Sequence, residues 1–146
     1  MLVRALLLVA VVAAALVLGL WWRSRQGVVR VSAPDAAAPV PSAEDDVWRD
    51  RGVELAGTAT FVQFSTDHCG PCRATSRVLG ALVARRDDVS HREMDIDQHL
   101  DLVRRFSVLR APTVLVLDRD GREVARMTGA VRRAQAEQAL AAVAGA

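Results

Sequence analysis

The stretch TATFVQFSTDHCGPCRATSRVLGALVARR, residues 58–86, decides the fold. Its first part, Thr58 to Ser65, is rich in β-branched and aromatic residues and predicts a buried strand. Its second part predicts a helix from near Cys69 to about Arg86. Val78, Leu79, Leu82 and Val83 form the apolar stripe, and Arg73, Arg77, Arg85 and Arg86 the wet side. At the junction stands Cys69-Gly70-Pro71-Cys72. A sulfur in the first turn of a helix meets unpaired backbone N–H groups and the positive end of the helix dipole, and both favour thiolate over thiol. Thiolate is the species that attacks a disulfide. Cys72 lies three residues on, which on a helix is the same face, so it can attack the mixed disulfide that Cys69 forms. Pro71 suits a helix start, where its missing N–H is no loss. Gly70 is expected to remove side-chain bulk beside the reacting sulfurs.

Other uses of two cysteines have to be weighed. They could be inert core residues, a static bridge, or part of a metal site with His68, His91 or His99 as further ligands. Zinc takes about four ligands in a defined geometry. There is no second CxxC and no HxxxH here, so no metal is expected. A bridge across so short a separation closes almost no loop and stabilises little. Redox exchange, with no cofactor beyond the Cys69–Cys72 pair, is the expected use.

Outward from the motif, Val89 to Asp95 reads as a weaker strand. Asp97 to Phe106 reads as a short helix, with Asp97 as its cap and Leu100 and Val103 facing inward. Thr113 to Leu117 (TVLVL) is an unbroken apolar run, as in a strand buried on both faces. Asp118-Arg119-Asp120-Gly121 is a tight turn in which Gly121 is free to take positive φ. Arg122 to Met127 returns antiparallel, and Val131 to Val143 closes the domain as a helix with Leu140 and Val143 inward. Upstream, Glu44 to Arg51 reads as a short helix with Ser42 as cap. The order β-α-β-α-β-β-α predicts an α/β domain over residues 44–146, with a mixed sheet. Arg110-Ala111-Pro112-Thr113 precedes the buried strand. A proline there is either a plain turn marker or a cis Ala111–Pro112 bond; facing the CxxC, a cis proline would block metal capture and offer backbone groups to an extended substrate.

Residues 58–146 resemble the thioredoxin family. Phe61-Val62-Gln63-Phe64 before Cys69-Gly70-Pro71-Cys72 resembles its central strand and active-site turn. Met94-Asp95-Ile96-Asp97-Gln98 resembles the end of its next strand, Ala111-Pro112-Thr113 its cis-proline signature, Asp120-Gly121 its hairpin turn, and Gly129-Ala130 the glycine lining its substrate groove. The resemblance implies a three-layer α/β/α thioredoxin-like fold and thiol–disulfide exchange with proteins. Cys69 would be the nucleophile, Cys72 the resolving residue, and Ala111, Pro112 and Gly129 the groove. Some positions depart from the family pattern. Gln63 stands where the family usually has a buried Asp that accepts the proton of the second cysteine, and a carboxamide cannot titrate. Glu93 aligns with the Lys often paired with that Asp, and His68 with the Trp before the motif. A cationic His68 would stabilise the Cys69 thiolate while Asp67 opposes it.

The N-terminal part has a different character. Ala5 to Trp22 is 18 consecutive uncharged, mostly apolar residues. As a helix it would be about 27 Å long, near the hydrocarbon thickness of a bilayer. Trp21 and Trp22 sit where an aromatic belt belongs, and Arg4 can snorkel. A cleaved signal peptide has a shorter apolar core followed by small residues; here the exit is Trp-Trp-Arg-Ser-Arg. The expectation is therefore a retained single-span anchor over residues 1–26, in contact with lipid through residues 2–22. Residues 27–43 would follow as a Pro/Ala-rich linker, with 28–31 either a first strand or plain chain. Arg23, Arg25 and Arg30 outweigh Arg4, which by the positive-inside rule favours a cytoplasmic domain over an extracytoplasmic one.

All 19 basic residues are Arg, and the chain lacks Lys, Asn and Tyr, as a GC-rich, bacterial codon supply would give. Residues 44–146 hold 15 Arg against 16 Asp or Glu, so the overall net charge of +2 comes from the N-terminal flank. A nucleic-acid binder would carry its basic excess on the folded domain, so no nucleic-acid partner is expected. The expected protein is a monomeric, membrane-tethered disulfide reductase that acts on protein disulfides and is recharged by an unidentified electron donor. The alternatives are an extracytoplasmic exchange protein in cofactor attachment or disulfide isomerisation, and a thioredoxin-like binding module without catalysis.

Overall fold

A computed structural model describes residues 2–25, 29–31 and 44–144. Its elements are α1 (Leu2–Arg25), β1 (Val29–Val31), α2 (Glu44–Arg49), β2 (Ala59–Ser65), α3 (Gly70–Val83), β3 (Val89–Asp95), α4 (Leu100–Arg105), β4 (Thr113–Leu117), β5 (Glu123–Thr128) and α5 (Arg133–Ala144). The strands form one mixed sheet in the order β1-β5-β4-β2-β3. β2 runs parallel to β3 and antiparallel to β4, and β5 is antiparallel to both β4 and β1. The edge pairing of Val29–Val31 with Ala125–Met127 settles the open question of a first strand. Residue 28, most of the expected linker and the expected cap Ser42 lie outside the described residues.

Strand alternation divides the core into two layers. On one face Ala59, Phe61, Val114, Val116, Ala125 and Met127 pack against Leu79 and Leu82 of α3 and Ala136, Ala139 and Leu140 of α5. On the other, Val62, Phe64, Met94, Leu115 and Leu117 pack against Trp48 of α2 and Leu102 and Phe106 around α4. The result is the expected three-layer α/β/α arrangement. Trp48 is fully buried, donates from Nε1 to the Gly121 carbonyl at 3.0 Å, and stacks on Phe106 with ring centroids 4.8 Å apart.

Helix α4 departs from the expected register. Its N-terminal boundary residue is His99, not Asp97, and no side chain caps it. The Asp97 N–H is instead taken by Asp95 Oδ1 at 2.7 Å, which holds Asp97 in the preceding turn. Leu102 is buried and Val103, as expected, packs against the same layer, whereas Leu100, expected inside, is 49% exposed.

In α1 every described side chain from Ala10 to Trp21 is exposed. Among the described residues, no helix is long and apolar enough to cross a membrane.

Candidate active site

The polypeptide leaves the carboxyl end of β2, makes an exposed turn through Thr66, Asp67 and His68, and enters α3. The Cys69 N–H donates to the Asp67 carbonyl at 2.6 Å, which closes that turn. Cys69 is the N-cap of α3, extended in backbone, and its sulfur accepts from the Cys72 N–H at 3.1 Å. The sequence had suggested a first-turn sulfur near unpaired amides; the structure places it as the cap itself, bonded to one of them. Gly70 and Pro71 occupy the first helical positions. A side chain at Gly70 would meet nothing within 4 Å, so the expected need for bulk-free space there is not imposed by this chain.

Cys69 and Cys72 are joined in a disulfide, with their Cα atoms 5.2 Å apart. Cys69 is partly exposed, whereas Cys72 is 1% exposed. An attacking group from outside therefore reaches Cys69 first. Beyond the motif, the Ala111–Pro112 peptide bond is cis. The Pro112 carbonyl accepts from the Gly129 N–H at 2.8 Å, which ties Gly129 to the loop before β4. Gly129 has φ +86°, a conformation that L side chains rarely adopt. Thr113 Oγ1 donates back to the Arg110 carbonyl at 2.8 Å. His68 is exposed in the turn before Cys69. Among the described residues, no group of three or more His, Cys, Asp or Glu is placed to hold a metal.

The underside of the site is polar. Gln63, fully buried on the α3 face of β2, places Nε2 3.0 Å from the Cys72 carbonyl, 3.1 Å from Glu93 Oε1 and 2.9 Å from Ser65 Oγ. Ser65 Oγ donates to Glu93 Oε1 at 2.6 Å, and Ser76 Oγ of α3 donates to Glu93 Oε2 at 3.0 Å. Gln63 Oε1 is buried without a hydrogen-bond partner. Two residues along β3 from Glu93, His91 is largely buried, and Nε2 has no partner. Burial pushes its pKa below the usual histidine value, and the field of Glu93 opposes that shift. Less than one turn beyond Cys72, Thr75 Oγ1 accepts from the Val131 N–H at 3.1 Å and fastens α3 to the segment leading into α5.

Sequence reading found Gln63 and Glu93 but not Ser65 and Ser76. The period of two in TATFVQFS puts Ser65 on the same face as Gln63, and Ser76 follows Cys72 by one helical turn. Those two periodicities are the signal that could have found both serines. That they converge on Glu93 follows only from the parallel register that sets Gln63 beside Glu93.

Residues 52–144 match the family model described as thioredoxin-like domain. A thioredoxin of Chlamydia trachomatis is 36% identical over 75 residues, which is 51% of this chain and 72% of that protein. Thioredoxin H2 of Arabidopsis thaliana is 35% identical over 69 residues, 47% of this chain, and the chain spans only 51% of that relative's length. Among solved structures, thioredoxin NaTrxh from Nicotiana alata superposes with a TM-score of 0.54 at 29% identity, covering 64% of this chain and 81% of that one.

Proposed function

This chain belongs to the thioredoxin-like family, and from that membership and the Cys69–Cys72 disulfide we infer that it is a protein thiol–disulfide oxidoreductase working as a disulfide reductase. The observation that carries the reading is the asymmetry of the pair: Cys69 is partly exposed at the helix N-cap and Cys72 is buried one turn below. In the reduced protein the Cys69 thiolate attacks one sulfur of a substrate disulfide and releases the other as a thiol. The Cys72 thiolate then attacks Cys69, frees the second substrate thiol and restores the internal disulfide. The backbone of the cis Ala111–Pro112 loop with Gly129, which leads into β4 where Thr113 pairs with Phe64 near the end of β2, is the place for an extended substrate segment. The reading needs no cofactor beyond the two sulfurs, and an electron donor must reduce the pair after each cycle.

We propose further, from the sequence, that residues 2–22 tether the reductase at a membrane, with the domain on the cytoplasmic side. What supports the tether is the 18-residue uncharged run, the Trp pair and the basic exit of the sequence. Turbidity of insulin treated with dithiothreitol and the full chain tests the reductase. Precipitation should be accelerated by the wild type and not by Cys69→Ser, and equal rates would reject the enzymatic reading. A C-terminal phosphatase fusion tests orientation, since activity outside the cytoplasm would assign the domain to extracytoplasmic exchange.

A further inference from the structure

We propose that Glu93 takes the proton that the Cys72 thiol must lose before it can resolve the mixed disulfide, with Gln63 as the residue that positions the two. This rests on the reading of Cys69–Cys72 as a redox pair.

Three observations converge. Gln63 hydrogen-bonds the Cys72 carbonyl and, through the same amide nitrogen, reaches Glu93. An amide nitrogen carries two hydrogens, so these two acceptors account for its donor capacity, and Ser65 is then free to donate to Glu93 as well. The Gln63 oxygen is a buried acceptor with no donor in the disulfide form. Opening the disulfide gives buried Cys72, whose carbonyl Gln63 already holds, an S–H donor. Finally, Glu93 spans inside and outside. Its Oε1 is held by buried Gln63 and Ser65, its Oε2 by Ser76, and the residue itself is exposed. A proton received at the inner oxygen can leave to solvent without crossing the core.

The step balances as follows. In the mixed disulfide, the Cys72 S–H is oriented by Gln63 Oε1. Its proton passes to the Glu93 carboxylate across the short gap the carboxamide bridges, directly or through one water. The Cys72 sulfur pair forms the bond to Cys69 Sγ, the bond from Cys69 to the substrate sulfur breaks, and the substrate leaves as thiolate and is protonated by solvent. The substrate disulfide is reduced and Cys69–Cys72 is oxidised. Gln63 itself neither gains nor loses a proton. The groups that share this environment are His91 and Asp95 on β3, Ser76 on α3 between Arg73 and Arg77 in sequence, and the non-titrating Gln63 and Ser65 on β2.

Reaction of the reduced full chain with dithionitrobenzoate separates the two steps. Attack by Cys69 releases one thionitrobenzoate and resolution by Cys72 releases the second. Glu93→Gln should leave the first phase unchanged and slow the second about tenfold or more at neutral pH, at the low end of general-base effects of roughly 10²–10⁴. The second phase should then rise with hydroxide instead of levelling, and Glu93→Asp should recover most of the rate. Gln63→Leu should slow the second phase selectively as well, and it carries the test if Glu93→Gln does not fold. A second phase equal to wild type in Glu93→Gln, equal slowing of both phases, or an Asp variant as slow as the Gln variant would overturn the assignment. A wild-type chain that shows no successive release would instead bring down the redox reading itself.

Discussion

Trp48 offers the sharpest test of how the domain is held together. Helix α2 has six residues, too few to be stable alone, so its place depends on what its one large side chain finds. Trp48 finds three things: complete burial, an indole N–H bond to the Gly121 carbonyl at 3.0 Å, and a stack on Phe106. Trp48→Ala removes all three and leaves a cavity, for which large-to-small aromatic changes cost about 3–5 kcal/mol. Trp48→Phe keeps a ring against Phe106 but strands the carbonyl of buried Gly121, at about 1–3 kcal/mol. For a domain near 100 residues, about 1 kcal/mol moves the melting temperature by roughly 4–8 °C. The alanine variant should therefore melt at least about 12 °C lower and the phenylalanine variant at least about 4 °C lower. Both should retain disulfide exchange well below their transitions, because Trp48 packs on the sheet face opposite α3 and the disulfide. Thermal unfolding followed by far-ultraviolet circular dichroism measures this. Two variants within about 0.5 kcal/mol of wild type, or a phenylalanine variant no better than alanine, would refute the division into bond and packing.

Other outcomes follow from the same structure. Cys72→Ser should accumulate mixed disulfides with substrate proteins through Cys69, whereas Cys69→Ser should not; trapping through Cys72, read by mass spectrometry, would reverse the assignment of roles. His91 has a folded pKa depressed from 6.5 by burial, so the unfolded chain binds its proton first. Stability should thus hold above about pH 6.5 and fall as pH drops toward the folded value, and His91→Phe should flatten that slope in urea titrations across the window. Removing Val29–Val31 would uncover the edge of β5, so a chain beginning at residue 44 should melt lower and self-associate in sedimentation runs, in contrast to one that retains β1.

The parts of this fold that were legible were those in which local pattern and tertiary placement agree. TATFVQFS and TVLVL are buried strands in sequence and in space, and CGPC marks a strand-to-helix junction because Pro71 and the capping sulfur are local helix-start chemistry. In the short helix α4 only half of the expected inward pair holds. LDLVRR is too brief to establish a period: Val103 packs against the core as expected, while Leu102, about 200° round the helix from Leu100, takes the other inward place. Trp48 could not be placed from its own segment, since its partners Gly121 and Phe106 are distant in sequence and meet it only across the folded layer. Gln63 and Glu93 were legible as a departure from the family pair, but their hydrogen bond and the serines around it depend on the parallel register that sets the two side by side.

That displacement has an energetic logic. Position 63 is fully buried, and an ionised group there would lose its hydration and need strong pairing to offset several kcal/mol. A carboxamide at the same place satisfies the Cys72 carbonyl without charge. The carboxylate stands one strand outward on Glu93, where the residue is exposed and three donors hold its oxygens. The inner layer of the sheet thus stays neutral while a charged acceptor remains one side chain away from the resolving cysteine. The arrangement costs one unsatisfied buried oxygen on Gln63 in the disulfide state, about 1–3 kcal/mol by the usual measure of an orphaned acceptor.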